Sequence, residues 1–595
     1  MLLLASSTTT ISSENPTAKA KQYYHSRVLE LAAQLNQLHD DIRNNKPLKT
    51  VQSDFLSSRL AYKKIELFIG YYQEGDEPGF NGIPTGFIEE EDPDAYQEPQ
   101  GLQVIETFLF PKYHAAQKDS LLYFTGKLKT MAEGMSRNTT ALNPDQYLPD
   151  AVMEELYRIL TLGITGFDTP LSPNAIPEAA AALETVRFVM SCYQTSMQSA
   201  RIRSEEGLRL VDQSIQYCRT HPAFASFNRM RFIRNYLNPV CEWWGKTVQK
   251  LGYPENASRY TLIRKTGSLF RRNSLRTDAY LGDDRFTPLR AALGKKLFYE
   301  QRLSATGRRS CASCHQPDKA FTDGLPTALQ SDEHSPLPRN TPTLWNAALQ
   351  HNLFHDSRQT SMDRLVIEVL SNEKEMNSGS EQAIEKIITD TAYADLFRTA
   401  YGETHQPFSA GNAVNAISMY LRTLISNNAP FDQYMRGNDK AINSSAIDGF
   451  NLFTGKAKCA TCHYIPFFNG SKPPLWYYQE SETIGVPAAP LSDPAKADYD
   501  PGRFAIYPKP FFAHAFKTPT LRNIALTAPY MHNGVYTTLE QVIEFYDKGG
   551  GRGTGLSVSN QTLPFEKLAL TEKEKRDLKA FLNTLTDTAG INSGL

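Results

Sequence analysis

The sequence predicts a mainly α protein in two parts, an N-terminal helical bundle followed by two related, loop-rich modules. Three observations carry that expectation. Apolar residues recur at helical spacing between about 20 and 245, strand-like alternation is scarce, and Cys-x-x-Cys-His occurs twice in the second half, in "SCASCH" (310–315) and "KCATCH" (458–463). A chain of 595 residues is also too long for one hydrophobic core. Roughly two to four domains is the natural division.

Taken in order, the chain opens on "MLLLASSTTTISSENP", a short apolar run without a basic flank, and so a poor signal peptide as it stands. Residues 20–245 form the expected helical domain. "YYHSRVLELAAQLNQLHDDI", "FLSSRLAYKKIELFIGYY" and "AAAALETVRFVMSCYQTSMQ" keep the helical period, and breaks such as "EPGFNGIPTG" separate them. Residues 246–285 read as a connector. From Phe286 the chain turns to short helices and long loops dense in Pro, Asn and Thr, the kind of segment that carries function. "RNTPTLWNAAL" (339–349) and "KTPTLRNIAL" (517–526) resemble each other, and each lies downstream of a Cys/His motif. That internal repeat divides the second half into modules at 286–430 and 431–590. The chain closes on "LTEKEKRDLKAFLNTLTD", where Thr571 is the expected N-cap and Glu574 its capping-box partner.

Composition excludes several function classes. With 63 basic and 64 acidic residues the formal net charge is −1, which does not fit a nucleic-acid binder. No apolar run is long enough for a transmembrane helix. Of seven cysteines, four lie in the two motifs. The remaining three, Cys192, Cys218 and Cys241, argue against a full disulfide framework and leave open one pair or buried free thiols.

Cys-x-x-Cys-His sets two thiols on one turn beside an imidazole, the set that covalent haem needs: two thioether bonds and a proximal nitrogen for iron. Structural zinc would want two Cys-x-x-Cys pairs at short spacing, whereas here each histidine directly follows its own distant pair. A redox dithiol would want a βαβ setting, which is absent. The reading is therefore two covalently bound haem c groups on a mainly α fold of an N-terminal bundle and two cytochrome c-like haem domains. Cys311 and Cys314 would hold the first with His315 as iron ligand, and Cys459 and Cys462 the second with His463. Covalent attachment of this kind implies a periplasmic or otherwise extracytoplasmic location.

These residues, with "LGKKLFYEQRLSATGRRSCASCHQPDKAFTDG", "RNTPTLWNAAL" and "KTPTLRNIALTAPYMHNG", resemble the bacterial dihaem cytochrome c peroxidases and their MauG-like relatives across roughly 287 to 588. The resemblance implies an enzyme reducing hydrogen peroxide with electrons from a small cytochrome c or cupredoxin, the His315 haem taking peroxide and the His463 haem transferring electrons. MauG-like members instead use peroxide to oxidise a protein or organic substrate, and a non-enzymatic dihaem electron carrier is the third reading. A homodimer stays open as the assembly. The family's inter-haem Ca²⁺ falls on the Asn340 side chain and the Thr527 and Pro529 carbonyls, oxygen donors suited to a hard cation. The family's methionine ligand to the second iron falls, by its spacing from Pro529, on Tyr546, as in MauG-like proteins; Met531 ranks second. A phenolate there would favour Fe(III). The distal acid–base glutamate falls on Glu375. His334 lies in the loop that carries a distal histidine in the peroxidases, out of register, with Asp332 better aligned. Two positions depart from the pattern: His355 replaces the tryptophan between the haems, near Trp345, and Leu365 replaces a distal glutamine. Arg358 is kept and is expected to pair with a propionate or carboxylate.

In the N-terminal half, "RLAYKKIELFIGYY" and "PQGLQVIETFLF" resemble imelysin-like helical domains. Their Gly-x-His-x-x-Glu motif falls on Gly101, Gln103 and Glu106, with glutamine in place of histidine. An amide and one carboxylate make a poor transition-metal site. A bundle that docks on the haem domains or binds a partner is the favoured reading.

Overall fold

The computed structural model describes residues 15–588 except 85–86, 90–91, 114, 139–141, 257–258, 260–266, 278–280, 282–284, 403–405, 491–495 and 565. Residues 1–14 of the N-terminal stretch read as a poor signal peptide lie outside the described residues. The fold is mainly helical. Among the described residues the only strands are two short antiparallel pairs, Phe87–Glu89 with Asp92–Gln97 and Ser481–Glu482 with Phe516–Lys517. No described helix is long and apolar enough to cross a membrane. The chain divides into two compact units, one reaching Arg259 and including 267–269, the other running on from Phe270.

The first unit is a helical bundle. Its opening helix, Pro16–Arg43, starts where Asn15 caps the Thr17 amide and Pro16 occupies the first turn. Ala20, Tyr24, Val28, Leu31, Leu35, Leu38 and Ile42, three or four apart, form its buried face. Helix Leu148–Thr161 is buried along its whole length, so it lies in the interior of the bundle. The last long helix, Asn238–Leu251, runs through residue 245 and stops at Gly252, whose φ of 76° suits a glycine cap. Cys192, Cys218 and Cys241 are buried free thiols, which answers the pairing question left open by their number.

This core also buries charge. Arg59 donates to both oxygens of Glu178 at 2.7 and 2.9 Å. Lys63 bridges Glu66 and Asp168, 2.6 Å to each, and Arg158 reaches Asp168 at 3.1 Å. Gln103 and Glu106 lie in the same interior. Gln103 donates to the Asn81 carbonyl at 2.9 Å, and Glu106 accepts the Ser172 amide at 2.8 Å and its hydroxyl at 2.5 Å. Both side chains are thus committed within the bundle.

The second unit repeats one device. Helix Pro288–Phe298 packs on Ala410–Leu421, and Ser444–Phe453 packs on Glu572–Asn583. Each pair crosses at a glycine. A Cβ on Gly294 would stand 1.8 Å from the Ala416 carbonyl oxygen, and one on Gly449 1.9 Å from that of Asp577. The last helix begins as read, with the Thr571 hydroxyl accepting the Glu574 amide at 3.2 Å and Glu574 returning to the Thr571 amide at 2.7 Å. Aromatic packing fills the second module, where Phe431, Phe450, Phe453 and Phe468 all meet Phe581.

Candidate haem-binding centres

The two repeated blocks do the same work in both modules. Asn346 and Asn523 adopt left-handed backbone, φ 59° and 62°, a conformation asparagine tolerates. The Asn346 side chain accepts the Ser426 amide at 2.8 Å, and that of Asn523 accepts the Asp587 amide at 2.7 Å, so each pins the chain beyond its module's closing helix. Three residues earlier, Thr343 donates to the Ala320 carbonyl at 2.7 Å and Thr520 to the Phe467 carbonyl at 2.8 Å. The next carbonyl in each case receives the motif histidine: His315 Nδ1 lies 3.0 Å from Phe321 O, and His463 Nδ1 lies 3.1 Å from Phe468 O. His463 Nδ1 also lies 3.2 Å from Pro519 O.

This fixes the tautomer. A carbonyl oxygen only accepts, so Nδ1 carries the proton in both rings and Nε2 keeps its lone pair for a metal. Burial lowers both imidazole pKa values, His463 to about 4, so both stay neutral. At the first centre the Cys311–Cys314 turn is held by Ser310 N donating to Ser313 Oγ at 3.0 Å. None of the four motif cysteines pairs in a disulfide, which leaves their sulfurs for thioether bonds. Arg309 donates through Nη2 to Leu329 O at 2.8 Å, while its buried Nη1 has no partner among the described residues. An unsatisfied guanidinium nitrogen beside two free thiols and an imidazole with an available Nε2 fits a haem with anionic propionates.

The other sequence-predicted residues of the first centre gather beside it. Burial is the main influence raising the Cys314 thiol, and the carboxylates of Asp323 and Glu375 add to it. Glu375 Oε1 accepts Asn372 Nδ2 at 2.8 Å, and burial raises its carboxyl against the lowering influence of Arg358. The loop of Asp332 and His334 leans on the same segment, Ser331 donating to the Lys374 and Glu373 carbonyls at 2.7 and 3.0 Å. Asp332 organises that turn by accepting the His334 and Ser335 amides, and His334 is exposed. Arg358 takes carboxylate partners, Asp356 at 2.9 Å and Glu368 at 2.6 Å, with its guanidinium 3.5 Å above the Phe354 ring. Leu365 packs against the module core. Trp345 is buried with its edge to Phe321 at 5.3 Å, so it belongs to that core as well.

Between the modules, His355 Nε2 donates to Asn340 O at 2.9 Å and its carbonyl accepts the Lys517 amide at 2.7 Å. Burial, with repulsion from His532, Arg339 and Lys517, depresses its pKa to about 3, so the ring is neutral. The Asn340 amide nitrogen donates to Leu325 O at 2.7 Å, which turns Oδ1 the other way; its backbone N–H donates to His532 O at 2.7 Å. That bond ties Asn340 to the loop following Thr527 and Pro529, whose carbonyls accept no hydrogen bond from the described residues. The three expected calcium oxygens are uncommitted and borne by linked segments.

At the second centre Tyr546 lies on helix Leu539–Asp547, half-buried. Burial is the main influence raising its phenol, followed by Cys459, Cys462 and Glu482, so these groups are its electrostatic neighbours. Its hydroxyl makes no hydrogen bond to the described residues. Met531 sits in a separate turn that closes on the Gly534 amide at 3.2 Å. Sequence reasoning missed Glu482, whose carboxyl burial and Glu480 push up to about 7 beside Cys462. It missed the role of Arg309 too, although "GRRSCASCH" carries the residue next to the motif.

Comparison with known proteins follows this geometry. The family described as di-haem cytochrome c peroxidase matches residues 288–440. The methylamine utilization protein MauG of Methylorubrum extorquens is 38% identical over 301 residues, 50% of this chain and 78% of that protein. Cytochrome-c peroxidase IdrP2 of Denitromonas iodatirespirans is 34% identical over 318 residues, 49% of this chain and 80% of its own. Cytochrome c551 peroxidase of Nitrosomonas europaea is 32% identical over 255 residues, 43% and 71% respectively. Such identity across most of the MauG and peroxidase chains, joined to the doubled Cys-x-x-Cys-His architecture, means that this chain belongs to the di-haem cytochrome c peroxidase family.

Proposed function

We propose that this chain is an exported dihaem c-type peroxidase, an oxidoreductase acting on hydrogen peroxide. Its second unit would comprise two cytochrome c-like haem domains. The His315 centre takes peroxide, and the His463 centre passes on electrons from a small cytochrome c or cupredoxin. The observation that carries this division of labour is the asymmetry of the two centres: Glu375, a half-buried carboxyl, is an electrostatic neighbour of Cys314, and Tyr546, whose hydroxyl bonds to none of the described residues, is one of Cys459 and Cys462.

When bound, the haems supply the iron that exchanges electrons with peroxide and donor; the rest falls to side chains. His315 and His463, each with Nδ1 held by a carbonyl, offer Nε2 to iron. Arg309 Nη1 would hold a propionate. Glu375, oriented by Asn372, would act as the acid–base group that moves a proton between the two oxygens of peroxide. Asn340 Oδ1 with the Thr527 and Pro529 carbonyls would hold a Ca²⁺ ion, for which such oxygen donors are suited. The helical first unit serves as a scaffold or partner-binding module, since Gln103 and Glu106 are bonded within it.

Tyr546 favours a second reading, a MauG-like oxidase that directs peroxide's oxidising power at a protein or organic substrate. A phenolate ligand stabilises ferric iron and disfavours a ferrous relay. Peroxide titration of the ferric, haem-loaded chain, read by absorption and electron paramagnetic resonance, tests both. One high-spin haem that reacts with peroxide is expected, and two six-coordinate haems inert to peroxide would leave only an electron carrier. Steady turnover with a reduced small cytochrome selects the peroxidase over the oxidase.

A further inference from the structure

We infer that Trp476, Tyr477 and Tyr478 form a one-electron oxidation site, joining the His463 centre to the surface, that takes phenolic or protein aromatic donors too large to reach iron. The inference rests on the dihaem peroxidase reading above.

The three residues are consecutive in "SKPPLWYYQ" (471–479), a loop closed on itself. Lys472 N donates to Tyr478 O at 2.7 Å, Trp476 N to Lys472 O at 2.8 Å, and Ser471 Oγ to Gln479 Oε1 at 2.9 Å. The loop is fastened to the surroundings of His463 at two points. Trp476 is fully buried and donates its indole N–H at 2.9 Å to Ile465 O, two residues beyond the histidine. Gln479 Nε2 donates at 3.1 Å to Thr518 O, next to the Pro519 carbonyl that faces His463 Nδ1. Phe467 meets the indole edge-on at 6.2 Å.

Outward from the indole, Tyr477 is half-buried and its ring stands 5.2 Å from that of Tyr478 at 84°. Tyr478 is 52% exposed. Oxidisable rings therefore run from the histidine's own segment to water in three successive residues. Proton chemistry assigns the outer end. A phenol with an ordinary pKa of about 10 must shed its proton when it loses an electron, and an exposed ring sheds it to solvent. The inner indole is held rigidly by its carbonyl.

Each Tyr478 gives one electron and one proton. Two of them, on two chains, reduce one hydrogen peroxide to two waters and join through one new carbon–carbon bond as dityrosine. A phenolic donor at the surface restores the Tyr478 phenol by giving up its own hydrogen atom.

The test treats the haem-loaded full chain with hydrogen peroxide and no other reductant. Dityrosine fluorescence, cross-linked peptides by mass spectrometry and the freeze-quenched radical signal are read. The expected result is a dimer linked at Tyr478, lost in Tyr478→Phe and kept in Tyr499→Phe, although Tyr499 is more exposed at 88%. Trp476→Phe with an unchanged haem spectrum should reduce the dimer yield. Equal labelling of Tyr499, an undiminished dimer in Tyr478→Phe, or the same dimer from haem-free protein would overturn the inference. Peroxide consumed with Tyr478 unmodified overturns the aromatic route alone; peroxide left unconsumed by the wild type removes the peroxidase reading with it.

Discussion

Replacing Glu375 with glutamine removes one capacity, the ability to take up a proton. Asn372 Nδ2, 2.8 Å from the carboxyl, finds an equivalent acceptor in the amide oxygen. Arg358, the cation that influences this carboxyl, is already bonded to Asp356 and Glu368 at 2.6 to 3.0 Å and loses no partner. The fold should therefore be nearly unaffected while the chemistry suffers. A positioned acid–base group contributes about 10²- to 10⁴-fold. At 1.36 kcal/mol per decade that is roughly 3 to 5 kcal/mol of barrier. Burial lifts the carboxyl above its ordinary 4.5, with Arg358 restraining the shift. Only the ionised form accepts a proton, so the wild-type reaction should quicken as pH rises through that elevated value and slow as pH falls below it. Stopped-flow absorption of the ferric protein mixed with peroxide, repeated across the acid range, measures both rate and profile. Glu375→Gln should be slow at every pH and lack the acid limb. A variant as fast as wild type, with the same limb, would remove Glu375 from the mechanism.

Other perturbations separate the remaining assignments. Tyr546→Met should raise the reduction potential of the second haem, because a thioether favours ferrous iron where a phenolate favours ferric; potentiometric titration with an unchanged potential and spectrum would show that Tyr546 is not the ligand. Gly449→Ala forces a Cβ to within 1.9 Å of the Asp577 carbonyl and should cost about 1 to 3 kcal/mol or more. Gly307→Ala, at φ 66° with open space around it, should cost about 1 kcal/mol, so thermal melts should rank Gly449 as the more damaging site. A calcium chelator should lower the thermal stability of the wild type, and Asn340→Ala should weaken sensitised terbium luminescence; wild-type melting insensitive to chelation would count against the three-oxygen site.

Much of the second unit was legible because its information is local or repeated. Cys-x-x-Cys-His declares itself within five residues, and Thr571 with Glu574 cap a helix within four. The repeated blocks advertised a shared task, though not what it was; that needed the carbonyls of Phe321 and Phe468 to be seen beside His315 and His463. Glu482 stayed hidden because a two-residue strand paired with Phe516–Lys517 positions it, a contact without periodicity. His355 could be named as a departure and Trp345 as the tryptophan near it, but only packing distinguished a polar link to Asn340 from a core indole. The bundle's helices were legible and its interior was not: Arg59 finds Glu178 on another helix, and no pattern along either one announces it.

That ion pair constrains how the sequence can drift. Neither side chain is exposed, so losing one strands a bare charge at about 3 to 5 kcal/mol, whereas exchanging both for apolar groups of matching shape is close to neutral. Single steps away from arginine or glutamate are closed and the double step is open. Among descendants of this gene, positions 59 and 178 should change together or stay as they are, and an alignment with one altered alone would point to a compensating cation or carboxylate among the neighbouring helices.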